Sequence, residues 1–364
     1  MKTPYYLIDT EKLLKNLLIV EHVRRHSGAK CLLALKCFSM WGIFDQMAPY
    51  LDGTTSSSLY EARLGHEKFG GETHAYSVAF CDQDMAEVIT YADKIIFNSI
   101  SQLNQHKKIS QGKSIGLRVN PNISYSDYPL ADPCRQYSRL GEHRIELIEP
   151  LIPDITGFMM HVNCDNESYN NFDKILTAIE HKFGFLLHQL EWLSLGGGIS
   201  FTSPNYPLAK FCERLKKMAK RYNLQIYLEP GQAVLEEAGS LEVSIVDIIN
   251  NSKNIAVVDS SIQAHMIDLL VYNYSAEIHP NRGNYVYEIC GSSCLAGDIF
   301  GEYHFPEKLQ IGDRISFKNA VAYTSVNKNW FNGLRMPSIA IKNSNGIVKC
   351  IKTFDYVDFL NSQS

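Results

Sequence analysis

Between about residues 30 and 235 the chain repeats one pattern: a short apolar run, then a polar stretch with helical spacing. The apolar runs fall at 30–37, 51–57, 73–80, 94–99, 114–120, 155–163, 190–197 and 225–231. Short continuous apolar runs bounded by turn residues are what parallel strands buried on both faces look like. The stretches between them carry helix signals. Ser56-Ser57-Ser58 offers an N-cap for a helix over 59–66, and 171–183 and 208–222 place apolar residues at helical spacing. Eight strand-helix units in about 200 residues predict an α/β fold, a (β/α)8 barrel. A doubly wound open sheet is the alternative, because alternation alone does not distinguish closure from openness. The fifth connection, 121–153, is long and holds Tyr125, Asp127, Tyr128, Asp132, Pro133 and Arg135. It is expected to be a functional loop or lid.

The pattern then changes. Residues 241–250, 254–260, 285–290, 314–322 and 338–342 read as strands separated by Gly, Asn and Asp, and Asn345-Gly346 suits a tight hairpin turn. The expected division is a barrel over 13–235 and a mostly β domain over 236–364; residues 1–12 can pair with either and are grouped with the latter. A net charge of -4 gives no electrostatic basis for binding nucleic acid or anionic membrane, though a local acidic pocket for a cation is compatible with it. No segment approaches the roughly 18 uninterrupted apolar residues of a membrane span. The opening Met1-Lys-Thr-Pro4 lacks the apolar core of a secretory leader, and the nine cysteines are odd in number with no CxxC pair. A cytoplasmic protein without disulfides or a metal site is expected.

In a barrel of this kind the working residues sit at the C-terminal strand ends. Those ends carry Lys36, Arg118, His161, Gly196-Gly197-Gly198 and Glu229-Pro230-Gly231-Gln232. A lysine closing an apolar run is costly to desolvate; it is either the first residue of a surface loop or a functional amine. The glycine run can present backbone N–H groups to an anion, and the loops after strands seven and eight are the usual phosphate site. It can equally be a tight turn. Glu229 can bond a neighbouring amide, or hold a pyridine nitrogen protonated. His161 can be a satisfied core histidine, or an imidazole stacked on a cofactor ring. Lysine, histidine, glycine loop and carboxylate on one mouth together favour a Schiff-base lysine for pyridoxal phosphate. The β region adds Cys294 and Asp298 in a glycine-rich loop, Tyr323 at a strand end, and Asp268, which can take an ammonium or cap a helix.

Ala34-Leu-Lys36, His161-Val-Asn-Cys164, Gly196-Gly-Gly198, Glu229-Pro-Gly231, Cys290-Gly-Ser-Ser-Cys294-Leu-Ala-Gly-Asp298, Ala322-Tyr-Thr324 and Phe331-Asn-Gly333 stand in one order along nearly the whole chain. That order resembles the fold-type III pyridoxal-phosphate decarboxylases. Within the family, Ala34 to Ser39, Asp52 to Glu61 and Cys294 to Asp298 resemble the branch acting on carboxylated polyamines. The resemblance implies that Lys36 carries the cofactor, His161 stacks on its ring, the glycine loop and Tyr323 hold its phosphate, and Glu229 faces its nitrogen. It implies that Cys294 reaches a partner subunit's site and supplies a proton, so a homodimer with shared sites is expected.

The departures from the family pattern bear on substrate. Leu295 follows the cysteine where ornithine and diaminopimelate decarboxylases carry an acid, which argues against those short substrates. Gln232 replaces an arginine, Thr55 an aspartate, and Cys164 a phosphate-binding serine. A long cationic carboxylated polyamine, its ammonium groups taken by Asp268 and Asp298 with Gln232 as a polar contact, is the expected substrate. The rivals are a decarboxylase of another basic amino acid, a racemase, and a non-catalytic regulator.

Overall fold

The computed structural model describes residues 1–126 and 128–364, so Asp127 of the long connection lies outside the described residues. The chain divides into two compact units, one of Asn16–Val234 and one of Met1–Lys15 with Leu235–Ser364. Among the described residues no helix is long and apolar enough to cross a membrane.

Strand β1 (Tyr5–Asp9) belongs to the second unit; β2 (Lys30–Ala34), β3 (Gly53–Ser56), β4 (Glu72–Ser77), β5 (Lys94–Phe97), β6 (Ser114–Arg118), β7 (Gly157–Met159), β8 (Trp192–Ser194) and β9 (Gln225–Leu228) belong to the first. Strands β2 to β9 are all parallel, and the pairing of Lys30 with Tyr227 and Cys31 with Leu228 closes them into a barrel. The expected (β/α)8 barrel is therefore the observed one, and the open sheet is excluded. The strands are shorter than the apolar runs, because each run continues into the loop beyond its strand.

Leu32, Tyr76, Ile96, Met159, Trp192 and Tyr227 fill the interior. The indole of Trp192 occupies space that only glycine leaves: a Cβ on Gly157 would lie 2.1 Å from Trp192 Cδ2, and one on Gly116 2.4 Å from its Cη2. Its Nε1 donates to Ser114 Oγ at 2.9 Å and Thr156 Oγ1 at 3.0 Å, so burying the ring leaves no donor unmet. Outside the barrel, Ser58 caps Leu59–Leu64 by accepting from Glu61 N. The helices Tyr169–Leu187 and Leu208–Tyr222 bury one apolar face each.

The second unit is a sheet of β1 with β10 (Gly239–Asn250), β11 (Asn254–Val258), β12 (Tyr285–Cys290), β13 (Ile299–Phe305), β14 (Arg314–Lys318), β15 (Ser338–Lys342) and β16 (Val348–Lys352). Its order is β13-β12-β11-β10-β1-β15-β16, with β14 also on β10. The N-terminal strand pairs antiparallel with β10 and parallel with β15. The run expected at 314–322 stops at Lys318, where Asn319 takes a positive φ of 53°. The expected hairpin is present, but Asn343 closes it, accepting from Asn345 N and Ile347 N; Gly346 (φ 77°) completes a longer loop than a two-residue turn.

Candidate active site

Because strand direction is common to all eight strands, the loops after their C-terminal ends share one mouth. Lys36 stands two residues beyond β2, not at its end, in a turn held by Cys37 N and Phe38 N donating to Ala34 O. The turn can lie against the loop after β9 because residue 231 is glycine: a Cβ there would meet Cys37 Cβ at 2.7 Å and Sγ at 2.9 Å. Lys36 keeps solvent access, yet protein packs densely about its ammonium. Both hold for a side chain standing in a recess open on one side. Desolvation by burial, reinforced by the Arg118 charge, lowers its pKa; Glu229, Cys37 and Glu61 oppose the shift. The neutral amine is thereby more available than in a surface lysine.

His161 follows β7. Burial, then the charges of Lys36 and Arg118, hold its imidazole well below the ordinary range, with the Gly197 backbone opposing, so the ring is neutral. Its Nδ1 is buried without a hydrogen-bond partner. Gly196, with φ 68°, passes so close to this ring that a Cβ would come within 2.4 Å of Nδ1. Gly198 is equally confined, its Cβ position 2.2 Å from Asn163 O. These glycines form a backbone cradle beside the imidazole.

Glu229 follows β9 directly and is buried, 5% exposed. Burial raises its pKa; the Ser194 hydroxyl, the charges of Lys36 and Arg118, and the Thr55 hydroxyl beside it pull the other way. Ser194 Oγ donates to Glu229 Oε1 at 2.6 Å. Arg118, the last residue of β6 and 4% exposed, donates from Nη1 to Tyr76 Oη at 2.6 Å and from Nη2 to His161 O at 3.4 Å. Tyr76 donates on to Asn98 Oδ1, which also accepts from Gly141 N.

The donor set fits pyridoxal phosphate: an amine of lowered pKa, a neutral imidazole with an orphaned nitrogen, a glycine cradle of N–H groups, and a buried carboxylate near the cationic Arg118. The barrel unit thus gathers Lys36, His161, Gly196, Gly197, Gly198, Glu229 and Gly231. Gln232 begins the short helix Gln232–Leu235 and is exposed.

In the sheet unit, Cys294 is exposed, and its backbone N donates to Asn332 Oδ1 at 2.6 Å, which ties two of the sequence landmarks together. Tyr323 has a positive φ of 56°, and Thr324 Oγ1 donates to Asp268 Oδ2 at 3.2 Å. Asp268 is partly buried; desolvation raises its pKa, and Thr324 and Asn327 oppose the shift. Asp298 is tied into its own loop. It is 3% exposed, with Oδ1 accepting from Ile262 N at 2.7 Å and Oδ2 from Ser293 N at 3.1 Å and from the Ser293 hydroxyl. The carboxylate braces its own loop, with Oδ1 taken by one donor and Oδ2 by two.

Nothing in the sequence singled out Ser194, Tyr76 or Asn98. Ser194 sits two residues before the glycine run, and that adjacency was its only signal. Tyr76 and Asn98 lie within ordinary-looking apolar runs and carried none.

A family model described as pyridoxal-dependent decarboxylase, C-terminal sheet domain, matches residues 6–321. The chain is 54% identical over 364 residues, covering 100% of both, to the carboxynorspermidine/carboxyspermidine decarboxylase of Herminiimonas arsenicoxydans. It is 35% identical to the carboxyaminopropylagmatine decarboxylase of Synechocystis, over 99% of this chain and 95% of that one. The solved structure of carboxynorspermidine decarboxylase from Campylobacter jejuni, complexed with norspermidine, superposes with a TM-score of 0.94 at 35% identity, covering all of both chains. The chain belongs to the pyridoxal-dependent decarboxylases.

Proposed function

We propose that this protein decarboxylates carboxynorspermidine and carboxyspermidine to norspermidine and spermidine, using pyridoxal 5'-phosphate. The observation that carries this is the full-length 54% identity to an enzyme of that name, joined to a barrel mouth whose residues suit the cofactor. When bound, pyridoxal phosphate supplies an electron sink that stabilises the carbanion left as an α-carboxylate departs as carbon dioxide. The chain's own residues do the rest. Lys36 offers the amine for covalent attachment, its lowered pKa keeping that amine nucleophilic near neutral pH. His161, neutral, offers its ring face. The N–H groups of Gly197, Gly198 and Gly231, with the Tyr323 hydroxyl, hold the phosphate, and Gly196, its own N–H taken by Ser194 Oγ, sets the course of the loop. Glu229 faces the ring nitrogen, and its burial makes that ionic partner worth more than it would be in water.

Cys294, exposed, delivers a proton from its Sγ to the carbon that has lost carbon dioxide. In the homodimer this reading includes, it serves the partner's site. Asp268 accepts a substrate ammonium, which offsets the desolvation of its carboxylate. Gln232 adds an uncharged polar contact. Leu295 leaves the position after Cys294 apolar, which suits a long substrate better than a short diamino acid.

The test is carbon dioxide release by the purified protein with pyridoxal phosphate and a panel of substrates. The panel holds carboxynorspermidine, carboxyspermidine, carboxyaminopropylagmatine, diaminopimelate, ornithine and arginine. Turnover of the first two well above the others is the expected result. Preference for a basic amino acid, or no carbon dioxide from any of them, would overturn the reading.

A further inference from the structure

Glu229 is a carboxylate sunk in the barrel mouth, and a buried carboxylate without strong donors tends to take a proton and become neutral. A neutral acid opposite a pyridine nitrogen cannot keep that nitrogen protonated. One side chain above the rest opposes this. Ser194, the last residue of β8 and fully buried, donates to Glu229 Oε1 at 2.6 Å while its Oγ accepts from Gly196 N at 3.2 Å. The geometry uses both capacities of the hydroxyl. Because the Gly196 amide donates to Oγ, the hydroxyl hydrogen is directed at the carboxylate and not back at the chain. Among the described residues no cation makes a hydrogen bond to Glu229; the Arg118 guanidinium is spent on Tyr76 and the His161 carbonyl.

We propose that Ser194 is a positioning residue that keeps Glu229 ionised and aimed at the ring nitrogen of the cofactor. This rests on the assignment of Glu229 to that nitrogen made above. It goes beyond it by naming what holds the acid in its working charge state. In support, the Ser194 hydrogen bond is the largest single influence opposing the effect of burial on Glu229. A hydrogen bond to a charged group is worth about 1.5–3 kcal/mol, or roughly tenfold to a hundredfold in an equilibrium constant.

The test compares two ligands on one protein: pyridoxal phosphate, and 1-deazapyridoxal phosphate, which has carbon where the ring nitrogen stands. Binding is followed by quenching of intrinsic fluorescence for wild type, Ser194→Ala, Ser194→Cys and Glu229→Gln. The cysteine variant is nearly isosteric with serine and a poor donor, so it answers the question even where alanine does not fold. Wild type is expected to prefer pyridoxal phosphate, and both Ser194 variants to lose roughly tenfold to a hundredfold of that preference. Affinity for the deaza analogue should barely change. If the preference survives in the Ser194 variants, or both ligands weaken equally, Ser194 is a structural residue and the inference fails. If Glu229→Gln also retains the full preference, the assignment of Glu229 itself is wrong. Loss of preference in Glu229→Gln but not in the Ser194 variants overturns this inference alone.

Discussion

At the floor of the barrel, Glu72 opens β4 and is met by the Lys30 ammonium, by Lys94 Nζ at 3.3 Å, by His74 Nε2 at 3.1 Å and by Tyr227 Oη at 2.8 Å. At the mouth, Glu229 has the Ser194 hydroxyl at 2.6 Å and the Thr55 hydroxyl beside it, with Lys36 and Arg118 acting on it through their charge. Burial pushes both carboxylates toward the neutral form. At the floor the donors more than offset it and Glu72 falls well below the usual range; at the mouth they do not and Glu229 stays raised. Each end also has a histidine that burial keeps neutral, with Nδ1 unpartnered. His74 spends its other nitrogen on Glu72, whereas His161 stands beside the glycine cradle. The same residue types are thus satisfied by one another at one end and left requiring a ligand at the other. Greater conflict among local preferences at a functional mouth than at the opposite end is what divides a barrel into a working face and a stabilising one.

The largest expected effect that separates the two ends is Lys36→Ala. It should lower carbon dioxide release at least about a thousandfold, as loss of a covalent nucleophile does, and abolish the visible absorbance of the bound cofactor. The melting temperature of cofactor-free protein should hold or rise, since an awkwardly desolvated amine has been removed. Turnover at the wild-type rate would remove Lys36 from the mechanism. Marked unfolding would make the mouth as structural as the floor.

Next comes Glu72→Gln. Removing one charge strands Lys30 and Lys94 near each other, and breaking such a partly buried cluster costs about 3 kcal/mol. Denaturant unfolding should move by that amount while turnover per folded molecule stays within a factor of about two, an upper bound set by the distance from the mouth. A fall in turnover without a fall in stability would overturn the division of labour.

Much of this was legible because barrels constrain sequence strongly. The repeat of apolar runs marked the eight strands, and the expected strand ends pointed to the loops that hold Lys36, His161, Gly196 to Gly198 and Glu229. What stayed hidden was whatever depends on side chains meeting across strands. Asp298 looks like a free acid in a glycine-rich loop; only the fold reveals that the Ile262 and Ser293 amides donate to it. Ser194 is one of many serines until β8 sets it beside Glu229. The Glu72 hub was invisible for the same reason: Lys30, Glu72, Lys94 and Tyr227 come from four different strands, and nothing in their local sequence marks the meeting point.

The smallest effect, and the sharpest on the comparison, is Glu229→Gln in cofactor-free protein. A carboxylate with a raised folded pKa holds its proton at pH values where the unfolded chain, with a value of about 4.3, has released it. Over that window the native state binds more protons, so stability falls as pH rises. Glu72 has the opposite sign. Its depressed folded pKa gives a contribution complete above the unfolded value and lost as pH falls through the folded one. Glutamine at 229 removes the ionisation and keeps an acceptor for Ser194, so the variant should be more stable than wild type at neutral pH by about 1 kcal/mol. That gain should shrink toward pH 4 as wild-type Glu229 becomes neutral as well. Thermal unfolding of both proteins across pH 4 to 8, without cofactor, measures it. A variant less stable than wild type at neutral pH would mean that the Lys36 and Arg118 charges already compensate Glu229, and that the two ends of the barrel differ less than their geometry indicates.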